Sequence, residues 1–179
     1  MNRRTCDYVG DINSEGNQRT MIVCEEIVLE YEISRTTEAL LPAKEFLHDT
    51  RIYDRSGVYL SKKSQIDLIC DACLEGGSTY DGRRKAMVYH LKYEHQTPIV
   101  ISTANGICAF PTESPDNLDC FWIFYHHVRN MMPLSKHSTI VHFHSGLKLE
   151  VPVSYARLQK QMERMGRCIS HYSNNPVYC

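Results

Sequence analysis

Hydrophobic and polar positions alternate near the start of this chain, recur at helical spacing in three later stretches, and gather in short solid runs between them. From 21 to 33, Ile22, Cys24, Ile27, Leu29 and Tyr31 fall mostly on alternate positions, the period of a half-buried strand. The phase slips near Glu25-Glu26, as a β-bulge would make it. The stretch 37–46 is apolar but broken by Pro42, which predicts an edge strand or a bend, because proline cannot donate to a ladder. Residues 51–57 read as a short strand entering a turn. Ile66, Ile69, Cys70 and Cys73 then recur at helical steps, which predicts a helix over 65–74 with Ser64 as N-cap. Gly76-Gly77 stops it. A second helix is predicted over about 81–93. Its inner face carries Val88 and Leu91, with Arg84 and Met87 nearby.

Short strands fill 98–151. The runs 98–102 and 107–110 flank Asn105-Gly106, residues that accept the positive φ of a tight hairpin. The run 120–128 reads as a central strand, and 139–143 with 147–151 as a second hairpin around Ser145-Gly146. Ser154 opens a last helix over roughly 155–168. The pattern predicts an α+β fold: one domain, an antiparallel sheet of short strands and about three helices. The polar residues 1–20 read as a flexible tail, 21–172 as the folded domain and 173–179 as a short C-terminal tail.

Composition narrows the setting. The chain has 179 residues, enough for one medium domain. It has no apolar run of about eighteen residues, so no membrane span is expected. No apolar stretch follows Arg3-Arg4, so no ordinary secretory signal is expected either. Eight cysteines without an export signal suggest reduced thiols in a cytoplasm. The net charge of −1 argues against a nucleic-acid binder until its distribution is read. Residues 1–60 hold seven Lys/Arg against eleven Asp/Glu, residues 61–120 six against eight, and residues 121–179 seven against two. Six of the nine histidines also lie in that last third. A polyanion partner for one surface explains the asymmetry, and so does an acidic half packed on a basic half.

The sharpest candidate site is 76–85. A glycine turn with Ser78, Thr79, Tyr80 and Gly82 leads into a helix whose first turn carries Arg83, Arg84 and Lys85. Cations there oppose the helix dipole, costing a few tenths of a kcal/mol each, about 0.3 or more, unless an anion is present. Free backbone N–H groups, two hydroxyls and the cations would hold a phosphate. A solvated basic turn offset by Asp81 is the plainer alternative. The glycine spacing is not that of a Walker loop. In the last helix Arg157, Lys160, Arg164 and Arg167 share one face, which either meets phosphates or is simply wet. His142 and His144, or Cys70 and Cys73, could each supply two metal ligands, but their spacing is not a zinc finger's and the cysteines also fit a buried helix face. No metal and no cofactor are expected. No Gly-X-Ser-X-Gly elbow or paired carboxylates stand out, so no enzymatic activity is expected.

Five tags in order then point to a family: Gly77-Ser78-Thr79-Tyr80-X-Gly82-Arg83, Thr97-Pro98-Ile99, Phe110-Pro111-Thr112, Cys120-X-Trp122-Ile123 and Pro152-X-Ser154-Tyr155, with Gln161 besides. From Gly77 onward the sequence resembles the bacterial competence transcription factor family, the ComK proteins. The resemblance implies a cytoplasmic, nucleoid-associated activator of DNA-uptake genes. It implies binding to A/T-rich boxes of double-stranded DNA, largely through the minor groove and DNA bending, and self-association as a dimer or higher assembly on DNA. It also implies an adaptor that delivers the protein to a Clp-type protease. The chain is shorter after its last helix than longer family members, as a divergent or truncated paralogue would be. Ser78, Thr79, Tyr80, Gly82, Arg83, Arg84 and Lys85 are the first expected DNA contacts, and Arg157, Lys160 and Arg164 the second. The other functions in view are a regulatory module for a small phosphorylated ligand and a zinc-supported interaction protein.

Overall fold

Continuous apolar runs such as 99–102, 107–111 and 122–124 arise because these strands are buried on both faces. The computed structural model describes the backbone of residues 4–12, 18–44 and 47–174, and the side chains of 25–44 and 47–173. The order is β1 (Arg4–Ile12), β2 (Gln18–Ile27), β3 (Thr37–Pro42), β4 (Thr50–Asp54), β5 (Gly57–Ser61), α1 (Gln65–Glu75) and α2 (Tyr80–Leu91). Then come β6 (Ile99–Ser102), β7 (Ile107–Pro111), β8 (Trp122–Phe124), a single 3-10 turn (Tyr125–His127), β9 (Val128–Pro133), β10 (Thr139–Phe143), β11 (Lys148–Val151) and α3 (Tyr155–Asn174). An eight-stranded sheet runs β1-β2-β5-β4-β3-β8-β7-β6, and a three-stranded sheet runs β11-β10-β9. Among the described residues only β2 and β5 pair in parallel. The expected class, α+β with short antiparallel strands and three helices, is the class observed.

Alternation along the central strands divides the core. On one face Leu40, Ile99, Ile101, Ala109, Trp122 and Phe124 meet Leu68, Ile69, Ala72 and Cys73 of α1. On the other, Ala39, Val100, Cys108, Phe110 and Ile123 meet Leu158, Met165 and Cys168 of α3. The small sheet joins this second layer through Val141, Phe143, Leu149 and Val151. Helix α2 lies chiefly against β6, the end of the large sheet, and so covers an edge.

Several sequence readings shift. In α1 the buried face is Leu68, Ile69, Ala72 and Cys73, while Ile66 and Cys70 are only half-buried. Strand β3 is interior, between β4 and β8, and Pro42 falls at its last residue, where a missing N–H does little harm. Gly57 opens β5 rather than closing a turn, because Arg55 and Ser56 make the turn. In the loop after β6 only Gly106 takes a positive φ, +65°. Of the stretch read as a tail, Arg4–Ile12 and Gln18 onward lie in paired strands, with β2 joined to the sheet through β5. The run 120–128 is not one strand: β8 pairs with β3 and β7, and β9 pairs with β10 in the other sheet. Its apolar character continues through the break because Tyr125 and Val128 still pack on the core. Helix α3 continues past 168 to Asn174, so the expected tail from 173 begins inside a helix, and 175–179 lie outside the described residues.

Candidate nucleic-acid interface

The glycine turn is shaped by close packing. A Cβ on Gly76 would strike the backbone carbonyl of Ile101, so glycine lets the end of α1 approach β6. Gly77 follows at φ +83°, and the Ser78 N–H returns to the Cys73 carbonyl at 3.0 Å. Thr79 caps α2 by accepting from the Gly82 N–H at 3.0 Å. A Cβ on Gly82 would come within 3.1 Å of Thr79 Oγ1 and 3.2 Å of Ser78 Oγ, so Gly82 keeps room for both hydroxyls. The Tyr80 ring packs edge-on against Trp122 with centroids 6.3 Å apart, and burial pushes its phenol up to about 12. Thr79, Tyr80 and Gly82 thus build the turn, while Ser78 is exposed.

The three adjacent cations part company. Arg83 is half-buried, donating from one terminal nitrogen to the Val100 carbonyl at 2.9 Å and from the other to the Gly76 carbonyl at 2.5 Å. It ties the end of α1 and the start of α2 to β6. Arg84 and Lys85 are exposed, and Arg84 donates to the Glu94 carbonyl at 3.2 Å. They line a shallow groove along α2 with Val88, Tyr89, Lys92 and Glu94. Lys92 Nζ stands 5.5 Å from the Tyr89 ring centre. Sequence reasoning missed Tyr89 and Lys92, although Lys85, Tyr89 and Lys92 follow one another at steps of four and three, which marks one helix face.

Helix α3 brings its stripe to the same loop. Arg164 stacks 4.4 Å over the Tyr93 ring and donates to Gln161 Oε1 at 2.8 Å and to the His95 carbonyl at 2.7 Å. Arg84 and Arg164 therefore grip neighbouring carbonyls, Glu94 and His95, from two helices. Buried Gln161 fixes the junction, donating to the carbonyls of Gln96 at 2.9 Å and Pro111 at 2.7 Å. Lys160 and Arg167 are exposed. Arg157 is engaged with Glu113 through two contacts of 3.0 Å. Beside the start of α2, a cavity of about 480 Å³ is lined by Asp81, Glu94, Glu113 and Asp116 as well as Arg84 and His95. Those carboxylates oppose an anion at the helix start, whereas Lys85 and Lys92 line the groove along the outer face of α2.

The other candidates do not gather. Among the described residues, no group of three or more His, Cys, Asp or Glu side chains is placed to hold a metal. His142 is half-buried in β10, and His144 lies in the turn beyond it. Burial pushes the Cys73 and Cys120 thiols up to about 11, which holds them protonated and unreactive near neutral pH.

Fold and surface together define a small α+β protein in which Arg84 of α2 and Arg164 of α3 meet at one loop. Among the described residues no helix is long and apolar enough to cross a membrane. The chain belongs to the ComK protein family, whose model matches residues 28–175. It is 29% identical over 135 residues to the competence transcription factor of Bacillus subtilis (strain 168), covering 75% of this chain and 70% of that relative. No solved structure matches the chain significantly. The tags behind the resemblance do structural work here: Thr97 donates to the Tyr93 carbonyl at 2.7 Å, Thr112 accepts from the Phe121 N–H at 2.9 Å, and Trp122 is fully buried.

Proposed function

We propose that this protein is a transcription activator of DNA-uptake genes and that it binds double-stranded DNA through the outer faces of α2 and α3. The family supports a regulatory rather than a catalytic role. The observation that carries the DNA reading is the meeting of Arg84 and Arg164 on adjacent carbonyls, which merges two cationic stretches into one surface. Arg84, Lys85, Lys160 and Arg164 make the phosphate contacts, with Lys92 and Arg167 at the margins and the exposed Ser78 hydroxyl at one end. Arg83, Thr79, Tyr80 and Gly82 shape the surface, and Arg157 joins it only by leaving Glu113. A net charge of −1 is no obstacle, because counterion release depends on local phosphate contacts. A/T-rich boxes, whose narrow minor grooves concentrate negative potential, are the expected targets. Assembly on DNA, action on the bacterial nucleoid and control through a Clp-protease adaptor follow from the resemblance and belong to the same proposal.

A small phosphorylated ligand is disfavoured by the four carboxylates around the cavity at the start of α2. The test is fluorescence anisotropy on A/T-rich promoter DNA with the double variant Arg84→Glu/Lys85→Glu. Losing two contacts and adding two repulsions should weaken binding by about a hundredfold or more. The circular dichroism spectrum should not change. Wild-type affinity in that variant would refute the surface.

A further inference from the structure

His90 lies in the last turn of α2 and His171 in the last turn of α3. Both helices run against β6. Buried Met87 and half-buried Leu91 seat the end of α2 on the same core that takes buried Cys168 and half-buried Ile169 and Tyr172 of α3. The two helix ends are therefore anchored side by side, each by apolar residues next to its histidine. His90 is exposed and His171 half-buried. Their rings meet with centroids 4.6 Å apart and planes tilted by 38°. Tyr89 stands edge-on to His90 at 5.0 Å and Tyr172 edge-on to His171 at 5.6 Å, so each imidazole is also held by a neighbouring tyrosine.

A neutral imidazole coordinates through a ring nitrogen, a ligand that suits zinc, copper and nickel ions. Imidazoles that share one ion at about 2.1 Å, at cis or tetrahedral angles, have ring centres roughly 4.5–5.3 Å apart. The observed separation of 4.6 Å lies within that span. The outer torsion of a histidine is soft, so a ring rotation turns one nitrogen of each toward a common ion. Both rings sit at helix C-termini, the negative poles of the helix dipoles, where a cation is favoured. Arg167, one turn before His171, and Lys92, two residues after His90, oppose the ion, but both are exposed to water, which screens them. Calcium and magnesium seek oxygen ligands. The acids within the two helices, Asp81 and Glu163, lie two turns or more from the pair.

We propose that His90 and His171 form a two-histidine site for a divalent transition metal ion of the zinc, nickel and copper class, which pins the end of α2 to the end of α3. Among the described residues no third His, Cys, Asp or Glu joins them, so water fills the remaining positions and the ion exchanges with solvent. The site is independent of the DNA-binding reading and stands or falls without it.

The full chain, freed of metal with a chelator, is titrated with Zn²⁺ in a calorimeter and with Co²⁺ in an absorption spectrometer. The wild-type protein should bind Zn²⁺ saturably and unfold at a higher temperature with it. His90→Phe and His171→Phe each keep a ring and remove its nitrogens. Either should weaken binding about tenfold or more, at least what loss of an outer-shell partner costs a metal site, and abolish the thermal gain. The double variant should bind within about threefold of either single one, because the first lost ligand already ends chelation. The Co²⁺ spectrum should lack the near-ultraviolet band of a bound thiolate. Circular dichroism spectra without metal should coincide, and His90→Asn with His171→Asn gives the same reading should a phenylalanine disturb the fold. No saturable binding by the wild-type protein at millimolar metal overturns the site. So does affinity unchanged in both single variants, or a thiolate band that persists in them, which would assign the ion to cysteines.

Discussion

Arg83, Arg84 and Lys85 are consecutive, yet a helix turns about 100° per residue and sends each to a different surrounding. Arg83 turns inward, where its planar fork spans the carbonyls of Gly76 and Val100, a geometry that a lysine ammonium cannot reproduce. Replacing it should therefore leave two carbonyls short of a donor. Arg83→Ala should lose about 2–4 kcal/mol in urea unfolding, and Arg83→Lys should recover only part of it. The folded fraction of either variant should still bind DNA within a few-fold of wild type, about threefold. Lys85→Ala should show the reverse, with unchanged unfolding and weakened binding. The three charges were legible in the sequence as a cluster. Their different fates were not, because the Val100 carbonyl that captures Arg83 lies in a later strand.

At the scale of elements, the telling feature is the 3-10 turn that carries the chain from β8 in one sheet to β9 in the other. His127 closes that turn, with Nδ1 3.9 Å from Glu38 Oε1. Distance alone suggests an ion pair, but burial acts against charge on both partners. It raises the Glu38 carboxyl, against the bond from Ser145 at 2.9 Å, and it lowers His127, with Arg55 and His126 adding to the lowering. Asp54 adds to the shift of Glu38 and opposes that of His127, while Arg55 and His144 oppose the shift of Glu38. The neutral forms are the ones the junction favours. A histidine whose folded pKa lies below the ordinary 6.5 contributes full stability above that value and loses it as pH falls through it, because the unfolded chain takes the proton first. Urea midpoints should therefore drop between about pH 7.5 and about pH 5.5, and His127→Gln should flatten that drop. An equal drop in both proteins would remove His127 as the cause. Sequence periodicity ran through this turn unbroken, since Tyr125 and Val128 keep apolar contact on either side of it.

For the whole molecule, a near-neutral chain sorts its charge by surface rather than by sum. If α2 and α3 both meet phosphates, the affinity for A/T-rich DNA should fall steeply with salt. Lys85→Ala and Lys160→Ala should each reduce the slope of log K against log salt by about one, and together by about two. Arg157→Ala should change the slope little, because its charge is already matched by Glu113. Equal slopes in wild type and the Lys85 and Lys160 variants, measured by anisotropy, would defeat a joint surface. The class of fold, the helices of 65–75 and 80–91, their Ser64 and glycine boundaries, and the strands of 99–102, 107–111 and 139–143 were all readable from the chain. Period, caps and turn residues are local properties, and the sequence alone determined the elements through them. The place of β3 inside the sheet, the division of 120–128 between two sheets, and the meeting of Arg84 with Arg164 were decided only by tertiary structure. Each depends on contacts such as Gln161 with Gln96 and Pro111, 65 and 50 residues apart, and no local pattern encodes which distant carbonyl a buried donor will find.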